Sequence, residues 1–281
     1  MTSTGLEIPI FGSASASSAV SFGATRLELN AAGSYPRGGT TPSLSELDRT
    51  VAALGSSASG VSLRVMVRPR GPPADGSPDF LYSAEEFVEM RQAIVEFKKS
   101  SFLDPKRGDG FVFGVLRRVG GDADRVVVDV ERNAELVALA RPLRSVFHRA
   151  FDDVVGGAAQ LSQEEEDQPT WRRALDDVVE CGFNGVLTSG GPGTAPGNSP
   201  ILKDIVVSAK GRVEIVVGGG VRSSNVRELA ITVRHHISPV WFHSSCLTAK
   251  GGAEEVDGQE IQSILREVEL LHERGGQDDL T

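Results

Sequence analysis

The sequence predicts an α/β fold, a (β/α)8 TIM barrel, as a single domain over residues 1–281. Three observations predict it. Eight short apolar runs recur along the chain, and helix-patterned stretches separate most of them. Most runs end in charged, His, Ser or Gly residues and not in plain turns. The length of 281 residues suits a fold that takes roughly 250. Strand–helix alternation repeated this often points to a parallel sheet closed on itself. Such barrels carry their chemistry at the carboxyl ends of the strands, so the ends of the runs locate the site.

In order the runs are Leu6–Ile8, Arg26–Asn30, Val61–Arg68, Phe111–Leu116, Arg144–Phe151, Gly185–Gly190, Val213–Gly219 and Val240–Ser244. Ser13–Phe22 is rich in small residues and reads as a short helix that Gly23 ends. Ser43 with Glu46, and Ser83 with Glu86, have capping-box spacing, so a helix starts at each. Loop insertions are expected near 118–133 and 156–170. The first includes the apolar run Arg125–Val130, a small hairpin over the barrel mouth. The second holds Glu164-Glu165-Glu166-Asp167, which reads as a solvated loop.

Composition excludes several classes. A formal charge of −9 argues against nucleic acid or an anionic membrane as the main partner. No apolar run approaches the roughly 20 residues of a membrane helix. The start, MTSTGLEIPIFG, lacks the basic and apolar regions of a signal peptide. Two cysteines, Cys181 and Cys246, cannot form a disulfide framework. The expected setting is the reducing cytoplasm, and a nuclear pool is compatible with it.

Candidate chemistry clusters at the run ends. Glu7 and Glu28 each have apolar neighbours on both sides, so alternation turns them into the lumen. A buried carboxylate needs a cation, and by strand order Arg68 or Arg70 is expected to contact Glu28. The same two guanidiniums would also grip a carboxylate or phosphate. His148, Ala150 and Asp152 share one strand face, with Arg149 on the other. His148 with Asp152 would serve proton transfer or bind a metal, or would simply belong to a core polar network. Val217-Gly218-Gly219-Gly220 followed by Ser223 is a strand, a bare-backbone turn and a helix start, which suits an anion or is only a tight turn. Ser189 ends another run. His243 and Cys246 offer an imidazole and a thiol, a soft pair for a metal, unless Cys246 is a packed core thiol. Cys181 reads as packing at the amino-terminal face.

Taken together, Leu6-Glu7-Ile8, Gly23–Leu29, Gly38–Ser43, Arg68-Pro69-Arg70-Gly71, Phe147–Asp152, Leu187–Gly190, Gly218–Val221 and His243-Ser244-Ser245 resemble the CutC copper homeostasis family, in its order and over nearly the whole chain. The resemblance implies a TIM barrel, a homo-oligomer, cytosolic or nuclear residence and a role in copper handling. Members of the family often carry cysteine just after the first strand and at the end of the second. Here Pro9, Ile10 and Asn30 stand there, so any retained copper site would use His148, His243 or Cys246. The Arg-Pro-Arg-Gly motif also runs on into Pro72 and Pro73.

Three functions compete. One is copper homeostasis with copper as ligand. Another is a barrel enzyme acting on a small anionic or phosphorylated substrate, its catalytic candidates His148, Asp152, Glu7 and Glu28. Its anion contacts would be Arg68, Arg70, Arg149, Ser189, Gly218, Gly219 and Gly220. The third is an oligomeric scaffold with a structural polar mouth. Fold alone cannot choose among them.

Overall fold

Eight parallel strands close into a barrel in the order β1, β10, β9, β8, β7, β4, β3, β2. The structure is a computed structural model, and it describes residues 4–119, 125–156, 169–235, 237–249 and 252–278, with side chains up to 270. The barrel strands are β1 (Thr4–Phe11), β2 (Arg26–Asn30), β3 (Ser62–Met66), β4 (Gly110–Phe113), β7 (Arg144–Phe147), β8 (Gly185–Thr188), β9 (Glu214–Val217) and β10 (Val240–His243). Helices α1 (Ala16–Ser21), α2 (Leu44–Leu54), α3 (Ala84–Lys99), α4 (Val130–Ala140), α5 (Ala150–Gly156), α6 (Thr170–Cys181), α7 (Ser199–Ala209), α8 (Val226–Val233) and α9 (Gly258–Asp278) lie between or after them.

Alternation builds two cores. Leu6, Ile8, Leu27, Leu29, Leu63 and Val65 join the large apolar cluster formed with the helices. Each such fully buried side chain contributes roughly 1.5–3 kcal/mol. The other strand face supplies a second, smaller cluster of Met66, Val112, Val146, Leu187 and Val216, with Trp241 against it. These come from six adjacent strands, so they form a layer across the lumen. Glu7 and Glu28 also face the lumen, as alternation predicts, and are 2% and 3% exposed. Arg26 and Glu214 pair with each other at 3.0 Å beside this layer, and the Arg26 guanidinium sits 3.6 Å over the Trp241 ring.

Both capping boxes form. Ser43 with Glu46 opens α2, and Ser83 with Glu86 opens α3. Each cap is worth about 1 kcal/mol. Six of the eight strand expectations shorten, two of them with consequences for the mouth. The run Phe111–Leu116 splits, with β4 ending at Phe113 and Leu116 opening β5 (Leu116–Arg118), which pairs antiparallel with β6 (Val126–Val128). Its strand β6 packs on α5 and α6, and none of the described residues of the hairpin lines the mouth, unlike the covering role predicted for it. The run Arg144–Phe151 stops at Phe147, and α5 begins at Ala150. The predicted acidic loop falls mostly on 157–168, outside the described residues.

Candidate functional site at the barrel mouth

A cavity of about 510 Å³ opens at the carboxyl ends of the strands. Its lining includes Glu28, Arg37, Arg68, His148, Arg149 and His243, with Asp152, Asp153, Phe80 and Leu187. Its volume is in the range of ordinary small-molecule sites. The strand ends thus bring together six of the residues singled out in the sequence. Arg70, Cys246 and the Gly218–Gly220 turn are not part of the lining.

At the inner end, three side chains from the barrel seam meet. His243 Nδ1 lies 2.8 Å from Glu7 Oε1, and Arg26 Nε lies 2.8 Å from Glu7 Oε2. Burial opposes ionisation of Glu7, but Arg26 and the His243 hydrogen bond outweigh it and hold its carboxyl down at about 2. His243 therefore donates to an ionised Glu7. Burial also works against an imidazolium, yet Glu28 and Glu7 prevail and raise the pKa of His243. Glu28 goes the other way. Burial, joined by the Glu7 charge, overcomes the pull of His243 and raises its carboxyl above the ordinary range. Asn30 Nδ2 donates to Glu28 Oε1 at 3.1 Å, and Oε2 is buried without a partner among the described residues.

The contact expected between Glu28 and Arg68 or Arg70 does not form. Arg68 Nη2 instead meets Asp79 at 2.6 Å, and its Nη1 donates to the carbonyls of Arg37 and Gly39. Arg70 meets Glu86 at 2.6 Å and Asp79 at 3.3 Å. The anchor for both is Asp79, which lies on the loop between β3 and α3. Its neighbour Phe80 holds a left-handed φ of 60° and packs its ring 4.5 Å from the His148 ring. A non-glycine residue in that region costs on the order of 1–3 kcal/mol and persists where surroundings enforce it.

His148 follows β7 and is 3% exposed. Burial, assisted by the Arg68 charge, pushes it down to about 3, so it is neutral at ordinary pH. The Ala150 N–H donates to His148 Nδ1 at 3.3 Å, which leaves the ring proton on Nε2. That Nε2 is buried and has no partner among the described residues.

Asp152 sits in the first turn of α5, not on a strand face with His148. Its carboxylate accepts from Thr188 Oγ1 at 2.6 Å, from the Ser189 N–H at 3.0 Å, from Ser189 Oγ at 2.7 Å and from the Gly191 N–H at 3.2 Å. It also takes Arg149 Nε at 2.8 Å, while Arg149 Nη2 donates to Ser189 Oγ at 3.0 Å. Asp152 is thus a clamp that ties the β8 loop and aims Arg149, and it has no lone pair to spare for acid–base work. Asp153 beside it is raised to about 6 by burial, then by Asp79 and Asp152. The Gly-rich turn abuts this group. A Cβ on Gly219, at φ 90°, would stand 2.9 Å from Ser189 Cβ, and one on Gly218 would stand 2.7 Å from Leu187 Cδ1. At Gly219 glycine is required for both the close approach and the left-handed conformation. Arg37, which the sequence reading missed, lines the cavity without an ion-pair partner among the described residues.

Copper as Cu(I), the soft form of the metal that the resemblance implies, fits these residues poorly. Cys181 and Cys246 are buried thiols raised to about 12, in both cases chiefly by burial, so neither supplies a thiolate. Cys246 belongs to the outer apolar core, whereas His243 belongs to the lumen, so the predicted soft pair is not assembled around the cavity. Glu7, Glu28 and His243 do have donor atoms within 4.8 Å of one another. Those are hard oxygen and borderline nitrogen donors, ill matched to Cu(I). The Glu7 charge is already matched by Arg26, and the Nδ1–H of His243 already bonds to it.

A sequence profile of the CutC family matches residues 4–239. A family protein CutC of Chromobacterium violaceum is 37% identical over 225 residues, covering 80% of this chain and 75% of that one. The human copper homeostasis protein cutC homolog is 33% identical over 224 residues, covering 80% and 68%. A CutC crystal structure from Streptococcus agalactiae superposes with a TM-score of 0.63 at 24% identity, covering 86% of this chain and 98% of that one. Phosphoribosyl anthranilate isomerase from Thermotoga maritima shares the fold, with a TM-score of 0.54 at 14% identity, covering 95% and 99%. No helix among the described residues is long and apolar enough to cross a membrane.

Proposed function

Because the chain belongs to the CutC family, we propose that it serves the copper-homeostasis role for which its animal relatives are named by binding a small anionic ligand at the barrel mouth. The observation that carries this reading is the set of three guanidiniums, Arg37, Arg68 and Arg149, on one cavity at the strand ends. Arg149 is held by Asp152 and Ser189, and Arg68 by Asp79, so two of the three are already oriented before any ligand arrives. Preoriented guanidiniums grip carboxylate and phosphate oxygens at little further entropic cost. Direct Cu(I) affinity is low, because the thiols are protonated and buried and the carboxylate–imidazole cluster is internally neutralised.

Two measurements test this. Calorimetric titration with inorganic phosphate should give saturable binding to the wild type. Arg149→Ala should weaken it by about 10- to 100-fold, the loss of one charged hydrogen bond. Cu(I) competition against a chromogenic chelator should show weak binding that Cys246→Ala leaves unchanged. Tight copper binding lost on Cys246→Ala, with no phosphate binding, would reverse the reading.

A further inference from the structure

Building on the anion-binding reading, we propose that the barrel mouth catalyses proton transfer at the carbon next to the carbonyl of a small phosphorylated hydroxyketone. His243 is the base, Glu7 is its positioning residue, and Glu28 and His148 donate hydrogen bonds to the carbonyl oxygen.

The geometry assigns these roles. His243 Nδ1 is committed to Glu7 at 2.8 Å, so Nε2 is the ring nitrogen left to exchange a proton. Nε2 has no hydrogen-bond partner among the described residues, and His243 lines the cavity. A base that is itself oriented by a carboxylate is the general arrangement for proton transfer. Arg26 fixes the far side of that carboxylate at 2.8 Å. Glu28 and His148 also line the cavity, and each keeps one buried polar atom, Oε2 and Nε2, without a partner among the described residues. An unmet buried hydrogen-bonding group costs roughly 1–3 kcal/mol, which a correctly placed ligand oxygen would offset. The two come from the ends of β2 and β7, separated around the barrel by β3 and β4.

The environments agree with this division. The pKa of His243 is raised, which makes it a stronger proton acceptor. Burial raises Glu28, which favours the carboxylic form, and with Oε1 taken by Asn30 the unpartnered Oε2 is the oxygen placed to carry the proton. His148 is lowered to about 3 and stays a neutral donor. Titratable groups pushed apart in this way mark acid and base roles. Among the described residues lining the cavity there is no Ser, Thr, Cys, Lys or Tyr.

The step balances without a co-reactant. The C–H bond breaks and its proton passes to His243 Nε2. The electron pair forms the C=C bond of an enolate, whose oxygen is held by Glu28 O–H and His148 Nε2–H. Return of the proton from His243 regenerates the carbonyl compound and the neutral base. Arg37 and Arg149 hold the phosphate at the rim.

The test is hydrogen–deuterium exchange at carbon. The full-length protein is incubated in D2O with dihydroxyacetone phosphate, ribulose 5-phosphate and fructose 6-phosphate, and with fructose as the uncharged control. Proton NMR follows loss of the C–H signal, and line broadening of the same samples reports binding. Exchange confined to a phosphorylated ketose supports the proposal. His243→Gln should then lower the rate by about 10²- to 10⁴-fold with binding retained. Glu28→Leu should lower it by about 10²- to 10³-fold. Glu7→Gln should shift the pH profile of exchange, a change that a purely structural residue would not cause. Melting curves and phosphate binding show whether each variant is folded. His243→Asn is the second variant if the first does not fold. Binding without exchange for all three phosphates overturns this proposal and leaves the anion-binding reading standing. Absence of binding as well overturns both. Equal exchange of fructose overturns the assignment of a phosphorylated substrate.

Discussion

His243 donates its Nδ1–H to Glu7 at 2.8 Å, and the two are register partners across the seam where β10 meets β1. They are 236 residues apart in the chain. The bond therefore joins the first and last strands of the barrel at the point where the ring closes. Closure and site share one contact, so the polar cluster is formed only when the whole barrel is formed.

Glu7→Gln is expected to be strongly destabilising. It removes one of the two carboxylates that meet the buried Arg26 guanidinium, 3% exposed, and leaves it Glu214 alone at 3.0 Å. Breaking a buried pair from one side costs about 3–5 kcal/mol. At roughly 2–4 °C per kcal/mol for a chain of this class, the melting temperature should fall by about 10 °C. The double variant Glu7→Gln with Arg26→Met should recover part of the loss, since the cation that lost one of its two carboxylates is then gone. A melting temperature within a degree or two of wild type for Glu7→Gln would show that the pair carries no net stability.

His148 makes stability acid-sensitive. Its pKa is about 3 in the fold and near 6.5 in the unfolded chain, so the unfolded state binds more protons between those values. Stability rises with pH through that window and is lost as pH falls from 6.5 toward 3. Glu7, held at about 2, adds a second loss below its ordinary carboxylate range. Glu28 and Asp153 are raised and pull the opposite way, so the comparison must be made against a variant. The melting temperature of wild type should drop steeply from pH 7 to pH 4, and that of His148→Gln should drop less. Parallel curves would contradict the assignment of a neutral, buried imidazole.

Asp152 should control Arg149 without touching the ligand. Its carboxylate collects Thr188, Ser189, Gly191 and Arg149 into one cluster. Asp152→Ala should speed amide hydrogen exchange at Ser189 and Gly191, whose N–H groups lose their acceptor. Phosphate affinity should fall, because Arg149 loses the bond that aims it. Unchanged exchange at both amides would remove Asp152 from the role of clamp.

Much of this was legible in the chain, and the gaps have physical causes. Period-two alternation placed Glu7 and Glu28 in the lumen, and the Ser–Glu spacings placed the starts of α2 and α3. His148 and Asp152 are four residues apart, a spacing that shares a face on a strand and on a helix alike, so pattern could not show that a helix starts between them. The partner of Glu7 depends on stagger. The register sets Glu7 beside Arg26 and not beside Glu28, and the stagger of a closed barrel is not written in any one strand. Asp79 and Arg37 come from loops with no periodicity. Cys246 follows His243 closely, but its positive φ of 49° lies beyond the end of β10, where strand alternation no longer holds.

Gly39 couples the rim loop to Glu28. Its φ is 86°, a conformation that side-chain-bearing residues avoid, and an added Cβ would collide with Asn30 Oδ1. Asn30 cannot yield freely, because its Nδ2 donates to Glu28 Oε1 at 3.1 Å and to the Glu28 carbonyl at 3.3 Å. The Gly39 carbonyl also receives Arg68 Nη1 at 2.7 Å, so a shifted loop would disturb a second wall of the cavity. Gly39→Ala should cost about 1–2 kcal/mol for the left-handed backbone alone, plus the collision. The same change should weaken phosphate binding, since Arg68 and the loop that carries Arg37 move together. Gly33→Ala is the control: its φ of 76° is also left-handed, but nothing lies within 4 Å of its Cβ. It should show the backbone penalty without the loss of binding. Equal loss of binding in both variants would mean that the Gly39–Asn30–Glu28 contact does not transmit to the cavity.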